Sequence, residues 1–250
     1  MFKIQNRSVL VFSVLLGFVG LFTIGLVIGD RNRPIVTGSV PVDDTDASDQ
    51  DFVYDDAETN LELWLDRLEV NNREVYRERA GVVAAADIQQ GDVVIDFASG
   101  TGFFTLMFAK AVGGEGHVYA IDIAARFLEL LRTRAVDEDL TNISPVLAQP
   151  SSIPLHAGTA DLVFISSAYH EFDDRFQAIG SAYNALKSGG RLLIVDFKDL
   201  PENANDPLKS HVAFGKAQVI AEVETAGFAF VGDKIVDGFD ENYLIVFKKP

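Results

Sequence analysis

A chain of 250 residues with a formal charge of -16, 48% hydrophobic residues and no cysteine holds enough apolar content for one sizeable α/β core plus an appendage. The charge argues against binding nucleic acid through its phosphates, which rests on clustered Lys and Arg; no nucleic-acid partner is expected. Without cysteine there are no disulfides, no thiolate metal site and no thiol nucleophile, and no metal site is expected.

Residues 9–29 (VLVFSVLLGFVGLFTIGLVIG) carry no charge, with only Ser13 and Thr23 polar. As a helix they would span roughly 30 Å, the depth of a bilayer core. A cleavable signal would have a shorter apolar region and a small-residue cleavage site. Residues 1–33 are therefore expected to form a single-pass membrane anchor, with a signal segment as the rival. Lys3 and Arg7 balance Arg31 and Arg33 across the span, which leaves the side of the membrane open. Gly25 and Gly29 form a G-x-x-x-G that lets two such helices approach closely, a hint of a homodimer through the anchor. Residues 34–60 include Asp43, Asp44, Asp46, Asp49, Asp51, Asp55, Asp56 and Glu58. Such a run self-repels and buries little, as expected of an acidic flexible linker.

Residues 61–86 place Leu61, Trp64, Leu65 and Leu68 on one helical face, then Val75, Tyr76 and Val82, the pattern of lid or capping helices before a sheet. Residues 93–123 are the centre of the chain. Val93-Val94-Ile95 and Val118-Tyr119-Ala120-Ile121 read as strands ending on Asp96 and Asp122, with a Gly-rich turn and a helical pattern between them. Gly100 and Gly102 let the backbone turn sharply and approach a ligand. A loop of this kind, opening onto a helix N-terminus, offers free N–H groups to a carboxylate or phosphate. Asp122 at a strand end can accept two hydrogen bonds from the vicinal hydroxyls of a ribose. A dinucleotide fingerprint would need a third glycine where Thr105 stands, which weakens a pyrophosphate ligand.

Beyond this unit, residues 124–136 read as a helix and 143–147 as a strand followed by Gln149. Residues 161–165 form an apolar strand that runs into Ser166-Ser167-Ala168-Tyr169-His170-Glu171-Phe172. In a doubly wound sheet the ligand crevice lies beyond the carboxyl ends of the strands, so Tyr169, His170 and Glu171 are the candidates for chemistry. His170 would serve as general base near neutral pH, with Glu171 orienting it or acting itself. Residues 176–186 read as a helix, 191–196 as a strand and 198–211 as a polar loop long enough for a substrate lid. A helix over 218–226 and strands over 228–231 and 243–247 complete the chain. The alternation predicts a doubly wound α/β sheet.

The run D-F-A-S-G-T-G at residues 96–102, with Asp122 further on, resembles the first motif of class I S-adenosylmethionine-dependent methyltransferases, usually written D/E-x-G-x-G-x-G. LKSGGRLLIVDF at residues 186–197 resembles the family's L-K-P-G-G-x-L-x-x-x-D/E segment. Together with DLVFISSAYHEF and KAQVIAEVETAGF, these segments are similar to a bacterial group of methyltransferases that often carry N-terminal export or anchor segments. Ala98 stands where the family has its first glycine, and an Ala there requires a negative φ. The resemblance implies a Rossmann-like seven-stranded sheet of order 3-2-1-4-5-7-6 over residues 61–250, its last strand antiparallel. It also implies S-adenosyl-L-methionine as cofactor, with Asp96, Ala98, Gly100 and Gly102 around the methionyl part, Asp122 at the ribose and Ile123 over the adenine. Gln149 would meet the adenine amino group, and Ser166 would border the site. Methyl transfer would proceed by direct displacement onto a small-molecule or lipidic acceptor, the latter drawn from the membrane. A nucleoside-binding protein without turnover and a nicotinamide-dependent oxidoreductase are the alternatives.

Overall fold

The computed structural model describes residues 60–198 and 215–250. The apolar span at 9–29, all but the last residue of the acidic linker at 34–60 and all but the first residue of the polar loop at 198–211 lie outside the described residues. Among the described residues no helix is long and apolar enough to cross a membrane.

Seven strands form one sheet here: β1 (Val93–Phe97), β2 (His117–Asp122), β3 (Ile143–Leu147), β4 (Ala160–Ser166), β5 (Leu186–Phe197), β6 (Ala229–Lys234) and β7 (Asn242–Lys248). Their order is β3-β2-β1-β4-β5-β7-β6, as the resemblance implies. The pairs are parallel except those of β7, which runs antiparallel to both β5 and β6. The helices are α1 (Leu61–Leu68), α2 (Glu74–Arg77), α3 (Arg79–Ala85), α4 (Phe103–Val112), α5 (Ala125–Asp137), α6 (Arg175–Ala185) and α7 (Lys216–Thr225), with a 3₁₀ turn at Tyr169–Glu171.

The near-continuous apolar reading of β4 follows from burial on both faces, since successive side chains of a strand point to opposite sides. Val163 and Ile165 pack with Ile95 and Ile194 against Ile179 and Ala182 of α6 and Val219 and Val223 of α7. Leu162 and Phe164 pack with Val94 and Val195 against Val82 of α3 and Phe104 and Phe108 of α4. Leu131 of α5 and Leu106 of α4 meet over Ala120 of β2. The central strands are thus fixed from both sides, and their carboxyl ends share one rim.

β5 and the capping segment differ most from the sequence expectation. β5 begins at Leu186 rather than Arg191, because Leu186 already pairs with Ala160 before an irregularity at Ala160/Leu162. Gly189 sits at φ 80 in that irregularity, and its N–H donates to the Lys249 carbonyl. The capping segment divides into α1, α2 and α3 and is tied down by carboxylates. Glu74 accepts backbone N–H bonds from Asp240, Glu241 and Asn242 at 2.9 to 3.1 Å. Glu69, just past α1, takes a two-pronged contact from Arg134 of α5 at 2.6 and 3.1 Å.

Candidate active site

The chain leaves β1 through a turn that no ordinary side chain favours. The N–H groups of Ala98 and Ser99 both donate to the Ile121 carbonyl, at 2.8 and 3.0 Å, and the Gly102 N–H closes back on the Ser99 carbonyl at 3.0 Å. This doubling back puts Ala98 at φ 62, Gly100 at φ 52 and Gly102 at φ 80. The expectation of a negative φ at Ala98 is therefore corrected: the residue is left-handed, a conformation that costs an L-residue roughly 1–2 kcal/mol. Its methyl is the smallest side chain that can bear that cost.

The two glycines serve different ends. A Cβ on Gly100 would meet only Leu68 Cδ1 at 3.6 Å, an ordinary contact, whereas one on Gly102 would lie 2.6 Å from Leu131 Cδ1. Gly102 therefore lets α4 start hard against α5, and it does not line the cavity. The close approach to a ligand expected of Gly102 is replaced by a close approach to a helix.

Asp122 braces the loop from the next strand. Its carboxylate accepts the Gly100 N–H at 2.7 Å and the Ala124 N–H at 2.9 Å, which leaves lone pairs directed elsewhere. Burial pushes its carboxyl up, and the N–H bonds from Ala124, Gly100 and Ile123 pull it back in part. Asp96 ends β1 beside it and accepts from Thr105 Oγ1 at 2.5 Å. Burial raises the Asp96 carboxyl to about 7; the Thr105 bond opposes this and the Asp122 charge adds to it. Thr105, noted in the sequence only for not being glycine, is the partner of a buried acid.

These residues wall a cavity of about 410 Å³ at the carboxyl ends of β1, β2 and β4, within the roughly 300–1,000 Å³ of small-molecule sites. Asp96, Ala98, Gly100, Asp122, Ile123, Gln149, Ser166 and Glu171 line it. Phe97 and Phe172, with ring centroids 5.0 Å apart, form an aromatic side, and Phe103 and Phe104 supply more apolar wall. The hydroxyls of Ser99, Thr101 and Ser167 are buried at this cavity without a hydrogen-bond partner. Buried polar groups are rarely left so. A bound nucleoside that carries hydroxyls, a carboxylate and positive charge fits this set: orphan hydroxyls, loop N–H groups and the carboxylates of Asp96 and Asp122 in one pocket.

The segment after β4 departs most from the sequence reading. Tyr169 is fully buried and turned away from the cavity; its OH donates to Glu222 of α7 at 2.8 Å. Arg175 of α6 grips the same carboxylate at 2.9 and 3.1 Å. Burial and the Glu222 charge push the phenol far above its ordinary range, so Tyr169 is an anchor of the 3₁₀ turn and not a group for chemistry. His170 also lies off the cavity wall. Its Nδ1 is 2.7 Å from Asp196 Oδ1 and its Nε2 is 3.2 Å from Glu171 Oε1. Burial pulls the imidazole down, but the bonds and charges of Asp196 and Glu171 outweigh this and hold it up at about 9. At neutral pH it is already a cation, which corrects the expectation of a neutral-pH base. The signal for Asp196 stood in the sequence as the acid that ends LKSGGRLLIVD. Arg73, which lines the cavity from the start of α2, had no such signal.

The sequence profile of the ubiE/COQ5 methyltransferase family matches residues 48–210. The ubiquinone/menaquinone biosynthesis C-methyltransferase UbiE of Marinomonas sp. (strain MWYL1) is 32% identical over 116 residues, 46% of this chain and 46% of that protein. Its namesake from Haemophilus ducreyi is 34% identical over 116 residues, 46% of this chain and 45% of that one. The chain spans about half the length of the curated relatives it matches. Among solved structures, a SAM dependent methyltransferase from Aquifex aeolicus aligns with a TM-score of 0.67 at 20% identity, covering 77% of this chain and 100% of that one. Phosphoethanolamine N-methyltransferase 2 of Haemonchus contortus, in complex with S-adenosyl-L-methionine, aligns at 0.59 with 13% identity, covering 77% and 60%. At such identities the solved structures establish the fold, while the profile match over more than half of the sequence establishes descent. The chain belongs to the ubiE/COQ5 methyltransferase family, within the class I S-adenosylmethionine-dependent methyltransferases.

Proposed function

We propose that the chain methylates a neutral aromatic acceptor of the quinol or phenol type, drawn from the membrane phase. The observation that carries this reading is the composition of the cavity: a polar floor at the loop and strand ends beside an aromatic side formed by Phe97 and Phe172. Bound S-adenosylmethionine supplies an electrophilic methyl on a sulfonium. The chain's part is to hold and orient. Asp122 takes the ribose hydroxyls, Ile123 lies over the adenine, and Gln149 and Ser166 border that end. Asp96, Ala98 and Gly100 receive the methionyl part, where Ser99 and Thr101 gain partners for their hydroxyls. Phe97 and Phe172 receive the flat acceptor and keep water from it, so alignment supplies most of the acceleration. The names of the quinone-pathway relatives support this acceptor class. An anchor at residues 9–29 would place the cavity where lipidic acceptors are concentrated; carbonate extraction of membranes that leaves the full-length chain in the pellet would accord with it.

The test is calorimetric titration of the full-length chain with S-adenosylmethionine, S-adenosylhomocysteine and NAD, repeated for Asp122→Ala. Both sulfur nucleosides are expected to bind and NAD is not. Loss of the ribose contacts should weaken binding by about 1.5–3 kcal/mol, roughly 10- to 150-fold. Equal binding by Asp122→Ala overturns the assignment of the ribose end.

A further inference from the structure

Glu171, one of the carboxylates that line the cavity, belongs to a chain of three charged groups. Asp196, at the end of β5, is 2% exposed and His170 is 3% exposed, whereas Glu171 is 36% exposed and lines the cavity. Asp196 is fixed by the backbone N–H groups of Phe197 at 2.8 Å and His170 at 3.3 Å. Both ring nitrogens of His170 face carboxylate oxygens. A neutral imidazole would aim a lone pair at one of those acids; only the imidazolium donates to both. The turn that carries the pair is pinned from behind by Tyr169 on Glu222.

We propose that Glu171 is the catalytic base that takes the acceptor's hydroxyl proton, and that His170, locked as a cation between Asp196 and Glu171, is a positioning residue. This assignment rests on the methyl-transfer reading above. The acceptor's O–H proton passes to a Glu171 oxygen as the ring carbon beside that oxygen bonds to the methyl. The C–S bond breaks with its electron pair on sulfur, which leaves a neutral thioether. The ring proton at the methylated carbon is then lost to water and the Glu171 proton returns to the oxygen, so that one methyl enters and one proton leaves. The cation behind Glu171, its Nε2 3.2 Å from Oε1, holds that carboxylate in place. The other charged groups at the cavity are Asp173, which follows on the same segment, and Arg73, Asp96 and Asp122.

The full-length chain and the variants Glu171→Gln, His170→Gln and Asp196→Asn are titrated with S-adenosylmethionine. They are then assayed anaerobically for transfer of labelled methyl to a short-chain prenylated naphthohydroquinone. Nitrogen-15 NMR of His170, assigned by its absence in His170→Gln, reads the ring without any turnover. Glu171→Gln should bind S-adenosylmethionine as the wild type does, with unchanged KM and a kcat lowered by about 100-fold or more. His170→Gln should move the acid limb of the kcat/KM profile upward, since the neighbouring cation is gone. The NMR should show both ring nitrogens protonated at neutral pH in the wild type, and an earlier loss of a proton in Asp196→Asn. Undiminished turnover by Glu171→Gln, or a neutral His170 in the wild type at neutral pH, overturns the proposal while leaving methyl transfer intact. A wild type that binds no S-adenosylmethionine overturns the methyl-transfer reading, and this proposal falls with it.

Discussion

At the scale of single residues, the loop after β1 shows how one motif divides its labour. Gly100→Ala meets the left-handed φ of 52 and only an ordinary contact with Leu68 Cδ1 at 3.6 Å. It should cost about 1 kcal/mol, offset in part by a less flexible unfolded chain. Gly102→Ala adds a clash with the buried Leu131, 2.6 Å away, and should cost about 2–4 kcal/mol by overpacking on top of strain. Urea denaturation of the two variants checks the ranking; equal losses would deny the helix-packing role of Gly102. Asp96 makes a second residue-scale case. Its folded carboxyl is raised from 3.8 to about 7, so its contribution to stability is full below the unfolded value and is lost as pH rises through about 7. A cationic ligand favours the ionised form. S-adenosylmethionine binding slightly below pH 7 should therefore release a proton, and affinity should rise with pH to a plateau above that value. Calorimetry in buffers of differing ionisation heat measures the proton; Asp96→Asn should abolish it.

At the scale of elements, Glu222 of α7 ties the 3₁₀ turn to α6, through Tyr169 and Arg175. Burial alone would raise Glu222, but Arg175, Gln218 and Tyr169 outweigh it and hold its carboxyl at about 2, down from 4.5. For a depressed acid the stabilisation is present above the unfolded value and is lost as pH falls from about 4.5 toward 2. Glu222→Gln removes the charge that Arg175 and Tyr169 both use, and should cost about 1–3 kcal/mol at neutral pH. Denaturation at neutral and strongly acid pH should show the gap between variant and wild type closing as the wild type protonates; a constant gap would mean that shape alone matters. The elements themselves were legible from period and punctuation. The 93–123 unit, the strand at 143–147 and the final pair were readable because each is a short β-rich run between turn residues. The extension of β5 back to Leu186 was not, because Lys187-Ser188-Gly189-Gly190 looks like a turn until a neighbour pairs with it.

At the scale of the molecule, the doubly wound sheet and the cavity's place at the strand ends followed from alternation, while the strand order came from the family resemblance. What stayed hidden were pairings between distant segments. Nothing local says that Tyr169 points at Glu222, that His170 leans on Asp196, or that Ala98 must turn left-handed, since each depends on where another part of the chain comes to rest. β7 carries a consequence for biosynthesis. It lies between β5 and β6, yet it is made after both. While the chain emerges from the ribosome at about 5–20 residues per second, the apolar flank of β5 waits unpaired until residues 242–248 arrive. For that interval the nascent sheet exposes an edge fit to pair with another chain. The same insertion that completes the sheet makes its last step the one most in need of a chaperone.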